Sequence, residues 1–341
     1  AAVSAALFEV STSLDRLEQV RLEASRVGAV TTRYQAEASL ALQAILRADF
    51  DKAEALLDGV LAATTRLNLL ETVRYALLLR TMLGAHRGRR REMDAALVEL
   101  RRWAGDHAQH TLRVYGLARA WCALLEEQRP RALAELSCAL RAEERSPTIF
   151  QLTGRYGLHL LLRVVDGAAG PAEYQATTAA PVSRLRWDRQ FALYASAVLA
   201  GRAGRPDEAV AAVAEAERVG APYPTARNVG LRLVGEAAIA DGWGSPVAWL
   251  RTAEEYFHQV EVPAVASACR AMMRRAGAPI GQRRRGVREI PPALRTVGVT
   301  VREVEILRVL TDGLGNREVA ERLHLSPRTV EKHVASLIAK T

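Results

Sequence analysis

The stretch TVREVEILRVLTDGLGNREVAERLHLSPRTVEKHVASLIAKT, residues 300–341, holds three short helical patterns in succession, each with its own start signal. The first opens at Thr300, whose hydroxyl can cap free backbone N–H groups while Glu303, three residues on, reaches back to the Thr300 N–H. Val299 and Val304 flank this box as a hydrophobic staple. Val304, Leu307 and Leu310, widened by Ile306, give one face that must be buried. Gly313 ends the pattern, because glycine takes φ > 0 past a helix end without steric cost.

Asn316 is the expected cap of a second helix, with Val319, Ala320 and Leu323 on one side and Arg317, Glu318, Glu321 and Arg322 on the other. At about two turns it is too short to stand alone in water. Leu323-His324-Leu325 makes a turn, and Ser326 and Pro327 start a third helix as N-cap and first helical residue. Val330, Val334, Leu337 and Ile338 are its expected buried stripe. Arg328, Glu331, Lys332, Ala335, Ser336 and Ala339 remain on the open face, and His333 beside the stripe is a packing or hydrogen-bonding residue. Two helices joined by so short a turn predict a helix-turn-helix.

This stretch resembles the DNA-binding domain of LuxR-type transcriptional regulators. The pattern matches at Thr300, Arg302-Glu303, Leu307, Gly313, Asn316, Glu318, Ala320, Leu323, Ser326, Thr329-Val330, His333 and Lys340. It departs at Gly315, where the family usually has Ser, and the family usually continues into a fourth, often dimerising, helix, whereas this sequence stops at Thr341. The resemblance implies double-stranded DNA as partner and base contacts from the residues just after the Thr-Val pair. The residue chemistry agrees: Lys332 can donate to guanine, Glu331 can accept from cytosine N4, and Ala335 can touch a thymine methyl. Asn316, Arg317, Arg328, Thr329, Ser336 and Lys340 are placed around the rim, for phosphates.

The charge is distributed accordingly. The chain has 341 residues and a formal charge of +9; residues 281–341 carry 12 Lys/Arg against 7 Asp/Glu, and the preceding 280 carry 35 against 31. Positive charge is thus concentrated where phosphate binding requires it. Aromatics are only 5%, a usage that favours helix over sheet.

Upstream, turns recur around Asp49, Gly88, Gln128, Gly167, Gly204 and Gly242, 37–40 residues apart, as expected of stacked helix pairs. Ala53, Ala95, Ala132, Ala209 and Ala248 follow these turns and would let antiparallel helices approach closely. The expected fold is all-α: an α-solenoid of about six helix pairs over residues 1–278, a basic flexible linker over 279–298, and a LuxR-type helix-turn-helix over 299–341. The pairs resemble tetratricopeptide units, though longer than that family's 34 residues and without its full Trp/Gly/Tyr pattern. Together the two parts resemble the C-terminal part of large ATP-binding LuxR-family regulators. No G-x-x-x-x-G-K-[ST] occurs, and the chain, beginning Ala1-Ala2, reads as a fragment of something longer.

Arg283, Arg284 and Arg285 in the linker offer charge to phosphates or simply keep it solvated. No H-E-x-x-H, G-x-S-x-G or paired-Cys metal spacing appears, so neither an enzyme nor a cofactor is expected; His107 and His110 lack further ligands. Cys122, Cys138 and Cys269 read as reduced, buried thiols of a cytoplasmic protein, and no membrane-spanning run exists. The five tryptophans, all in the repeats, read as core or as stacking platforms for a small molecule. The expected function is sequence-specific transcriptional regulation, with a small-molecule or protein effector on the solenoid and a homodimer formed through it. The alternative is an interaction scaffold whose last three helices only cap the solenoid.

Overall fold

The structure, a computed structural model, describes residues 10–104, 108–145, 156–279, 294, 297–311, 313–323 and 325–340. The chain divides into two compact units, 1–279 and 280–341. Among the described residues all regular structure is helical.

The first unit contains α1 (Val10–Arg26), α2 (Val30–Leu46), α3 (Phe50–Arg66), α4 (Leu70–His86), α5 (Arg90–Ala104), α6 (Ala108–Leu125) and α7 (Arg129–Arg145). It continues with α8 (Tyr156–Val165), α9 (Pro171–Ala179), α10 (Arg186–Arg202), α11 (Pro206–Gly220), α12 (Pro224–Asp241), α13 (Pro246–Gln259) and α14 (Pro263–Arg275). The repeat length follows from the local chemistry. Helices of 17 residues alternate with three-residue turns, so α2 and α4 start 40 residues apart, at Val30 and Leu70. Each turn is a left-handed residue followed by an N–H that bonds back into the last helical turn: Asp49 to Ala44, Leu69 to Thr64 and Arg89 to Gly84, each at 2.9 Å. The left-handed position is glycine at 88, 167, 204 and 242, but Ala48, Asn68, Glu127 and Glu261 occupy it elsewhere.

The even-numbered helices form an inner row. α2 packs on α4, α4 on α6, α8 on α10, α10 on α12, and α12 on α14. Inner α4 buries eleven of its 17 residues, whereas outer α3 buries only Ala53, Leu57, Val60 and Thr64, one stripe at helical spacing. Neighbouring pairs therefore share one core, the arrangement of an α-solenoid. The turns that recur in the sequence are the inner-to-outer ones.

Close approach within pairs is achieved in two ways. Ala53, Ala132 and Ala209, each the fourth residue of an outer helix, are fully buried, while Ala95 and Ala248 are exposed, contrary to expectation. In those two pairs the small residue sits on the inner helix instead. A Cβ on Gly84 would lie 2.7 Å from the Met93 backbone nitrogen, and one on Gly235 would lie 2.7 Å from Leu250 Cγ.

Polar ties cross the repeats as well. Arg202 on α10 donates to the Val164 and Val165 carbonyls that end α8 and pairs with Asp241 of α12 at 3.0 Å, joining three inner helices. The tryptophans belong largely to the core. Trp121 stacks on His86 with centroids 4.7 Å apart, and Trp187 packs against Trp121, Phe191 and Tyr223. Trp243 is buried beside Trp249, and Trp103 and Trp249 are half-buried. Cys122 and Cys269 are buried, and burial pushes their thiols up to about 11 and about 12. Cys138 is exposed, which corrects the expectation of three buried thiols. Among the described residues no helix is long and apolar enough to cross a membrane. His107 and the linker arginines Arg283, Arg284 and Arg285 lie outside the described residues.

Candidate nucleic-acid interface

The second unit is built from α15 (Val301–Thr311), α16 (Asn316–Arg322) and α17 (Pro327–Lys340). α15 starts with a reciprocal capping box: the Thr300 N–H donates to Glu303 Oε2 at 2.6 Å and the Glu303 N–H to Thr300 Oγ1 at 3.4 Å. Val299 and Val304 are buried together with Leu337, completing the staple. Besides Val304, α15 buries Ile306 and Val309, against Val319, Ala320 and Val330, while Leu307 and Leu310 are only half-buried. Gly313, at φ 82°, leads the chain out of α15.

The cap of α16 is Gly315, one residue before the expected Asn316, which is the first helical residue. A glycine has no side chain to give, so the cap is one-sided: the Gly315 N–H donates to Glu318 Oε2 at 2.8 Å. Arg302 then ties the turn to α15, donating to the Leu323 carbonyl at 3.0 Å and to Glu305 at 2.6 Å. Ser326 caps α17 through the Thr329 N–H at 3.1 Å and also bonds the Thr329 hydroxyl.

What this frame does is rotate α17. Val330 and Leu337 are buried, Val334 and His333 half-buried, and Arg328, Glu331, Lys332 and Ala335 all face solvent. The three expected base readers thus share one open face, with Arg328 beside them. Among the described residues Arg317, Arg328 and Lys332 make no ion pair, so three exposed cations keep their charge for an anionic partner. Glu331 likewise makes no ion pair with Arg328.

Two expectations change here. Ile338, expected in the buried stripe, is 73% exposed. At about 100° per residue it falls on the side of Glu331 and Ala335, at i+7 and i+3, and outside the arc that Val330 and Leu337 define. Ser336 and Lys340, expected at the rim for phosphates, are both engaged within the domain by Glu303. The Ser336 hydroxyl donates to Glu303 Oε1 at 2.6 Å, and Lys340 Nζ lies 2.8 Å from both carboxylate oxygens. Burial alone would push the Glu303 carboxyl up, but the Lys340 ammonium, the Ser336 hydroxyl and the Thr300 amide outweigh it and hold it at about 2. Ile338 was missed because stripe reading by spacing admits both neighbours of Leu337. The Glu303 site joins residues more than thirty positions apart, which spacing does not register.

Three helices of this length and order, with the third presenting polar residues outward, define a helix-turn-helix domain of the kind that places its last helix in the DNA major groove. Residues 298–340 match the family described as bacterial regulatory proteins, luxR family, and this segment is a LuxR-family helix-turn-helix domain. The chain is 39% identical over 56 residues to the transcriptional regulatory protein LnrK of Bacillus subtilis (strain 168), covering 16% of this chain and 26% of that protein. It is 43% identical over 42 residues to the transcriptional regulatory protein DegU of Brevibacillus brevis, covering 12% of this chain and 18% of the relative. The chain therefore spans about a quarter or less of the length of these relatives. No solved structure matches the chain.

Proposed function

We propose that this protein is a DNA-binding transcriptional regulator in which the repeat unit, residues 1–278, receives a small-molecule or protein signal. The segment over 279–298 links it to a DNA-reading domain over 299–341. The observation that carries the reading is the open face of α17, where Glu331, Lys332 and Ala335 are exposed together on a helix whose other face is locked into the domain. In this role Lys332 donates to guanine O6 or N7, Glu331 accepts from cytosine N4, and Ala335 meets a thymine methyl. Arg317, Arg328, Asn316 and Thr329 hold phosphates and set the register of the helix. Ser336 and Lys340 act through Glu303, fixing the C-terminal half of α17. The repeat unit supplies the homodimer, so that two half-sites are engaged at once and effective concentration adds to a modest single-site affinity.

Selection of duplexes from a random pool with the full chain tests this, followed by titration of the selected site in increasing salt. A defined motif bound with a steep salt slope supports the reading. A folded chain that selects no motif and binds no duplex leaves the scaffold alternative in its place.

A further inference from the structure

We infer that the repeat unit carries a binding cleft for a small amphipathic monocarboxylate, with Arg275 as its anion-binding group. The inference rests on the reading that this unit receives a signal, and it names the site and the ligand class.

The cleft has a volume of about 540 Å³ and lies where four separate parts of the unit meet. Glu127 and Arg129 come from the turn into α7, Asp166 from the end of α8, Arg232 and Glu236 from α12, and Arg275 from the end of α14. That size suits a small organic molecule, since such sites occupy roughly 300–1,000 Å³. Its polar wall is a ladder of alternating sign. Arg232, only 11% exposed at its side chain, is held by Glu127 at 3.1 Å and by Glu236; Arg129 joins Glu236 and Asp166, each at 2.9 Å. Both of these guanidiniums are shared between two carboxylates, and all three carboxylates are taken by a guanidinium. Their hydrogen bonds are made inside the wall, which with two guanidiniums and three carboxylates keeps one net negative charge.

Arg275 is different. It lines the same cleft, is exposed, and makes no ion pair or hydrogen bond among the described residues. A planar guanidinium with its donors open is the group best suited to grip a carboxylate through two parallel hydrogen bonds. Pro130, Ile239, Ala240 and Met272 line the rest of the cleft and give an apolar body somewhere to lie. The charge sum selects among anions. Three arginines face three acidic residues, so the empty cleft is neutral and any anion at Arg275 adds its own charge: one unit for a carboxylate, two for a dianionic phosphate, which Glu127, Asp166 and Glu236 repel more strongly. The ligand class is thus one carboxylate on a small aliphatic body. Because the walls come from positions up to about 150 residues apart in sequence (Glu127 to Arg275), an occupant would draw distant repeats together, and Arg275 ends the last described helix of this unit.

Isothermal titration of the full chain with hexanoate, its neutral isostere hexanamide, and inorganic phosphate tests this. Hexanoate should bind about tenfold or more tighter than either of the others, the factor expected of one charge-assisted contact. Arg275→Gln should remove that preference, and Arg275→Lys should retain part of it, with the unliganded melting temperature of both variants unchanged because Arg275 is exposed. Equal binding of hexanoate and hexanamide, tighter binding of phosphate, or full hexanoate affinity in Arg275→Gln would each overturn the site. Duplex affinity with and without saturating hexanoate separates the two ideas. Arg275-dependent hexanoate binding that leaves duplex affinity unchanged upholds the site and removes its signalling role; no hexanoate binding, beside duplex affinity that responds to another compound, does the reverse.

Discussion

Lys340, the last residue of α17, places its ammonium 2.8 Å from both oxygens of Glu303 at the start of α15, so one carboxylate closes the domain's capping box and fastens its final helix. The Glu303 side chain is 4% exposed and that of Lys340 29%, so the pair is shielded from solvent on the acidic side and open on the basic side. Replacing the carboxylate by an amide keeps one acceptor oxygen for the Thr300 N–H but leaves the Lys340 ammonium without its anion and one acceptor short. Glu303→Gln should therefore destabilise the helix-turn-helix by about 2–3 kcal/mol, at or below the lower end for breaking a buried pair. Lys340→Ala should lower the same unfolding transition while leaving the salt slope of DNA binding unaltered. A flattened slope with unchanged stability would return Lys340 to the phosphate rim. Hydrogen exchange of the α15 and α17 amides reads the stability directly.

The pH dependence follows from the same carboxylate. Its folded pKa, about 2, lies below the ordinary 4.5, so the folded state favours the charged form. Stability from this group is fully present above pH 4.5 and is lost as pH falls from there toward 2, to a total of roughly 3 kcal/mol. Acid titration of exchange rates in α15 should show this loss in wild type and its absence in Glu303→Gln. A wild-type domain indifferent to pH over that window would mean that Lys340 does not hold Glu303 in solution.

In the repeats, two glycines in helix interiors should respond in opposite directions. Gly84→Ala places a Cβ 2.7 Å from the Met93 backbone nitrogen, where α4 and α5 touch and backbone cannot yield cheaply. The expected cost is about 1–3 kcal/mol, ahead of the modest gain in helix propensity. Gly59→Ala meets nothing within 4 Å and should stabilise by about 0.5–1 kcal/mol. Thermal unfolding of the two variants decides it, and equal effects would show that α4 and α5 do not pack this closely.

Which features were legible in the sequence has a physical pattern. The inner-to-outer turns carrying Gly88, Gly167, Gly204 and Gly242 were readable because glycine marks left-handed backbone. The turn at Glu261, at the other end of the helices, uses an ordinary residue in the same conformation and leaves no compositional mark. The alternating rows of helices explain why inner helices such as α4 show little amphipathic pattern: a helix buried on most sides has no polar face to reveal its orientation. In the DNA-binding domain, the caps at Thr300 and Ser326 were legible because their partners lie three residues away. The engagement of Ser336 and Lys340 by Glu303 and the Arg275 cleft depend on tertiary placement, and no local pattern announces them.

The last prediction concerns the open face of α17. Lys332 is exposed and makes no ion pair among the described residues, and Ala335 beside it is too small to block a groove wall. If this face enters the major groove, Lys332→Ala should cost about 1–3 kcal/mol on the selected site and relax one position of the motif. Arg328→Ala should instead weaken all duplexes evenly and reduce the salt slope by about one, as a phosphate contact does. Ile338 adds a check that the expected buried stripe would have answered differently. A core isoleucine cut to alanine costs about 2–5 kcal/mol, but at 73% exposure Ile338→Ala should change stability by no more than about 0.5 kcal/mol. Sharing the face of Glu331 and Ala335, it should alter affinity for duplexes with a thymine methyl within reach, since an aliphatic side chain has little else to recognise in the groove. Selection with Lys332→Ala, Arg328→Ala and Ile338→Ala, each checked for its unfolding midpoint, separates these roles. If Lys332→Ala keeps the wild-type motif and loses affinity uniformly, Lys332 contacts phosphate and the helix is rotated from the register proposed here.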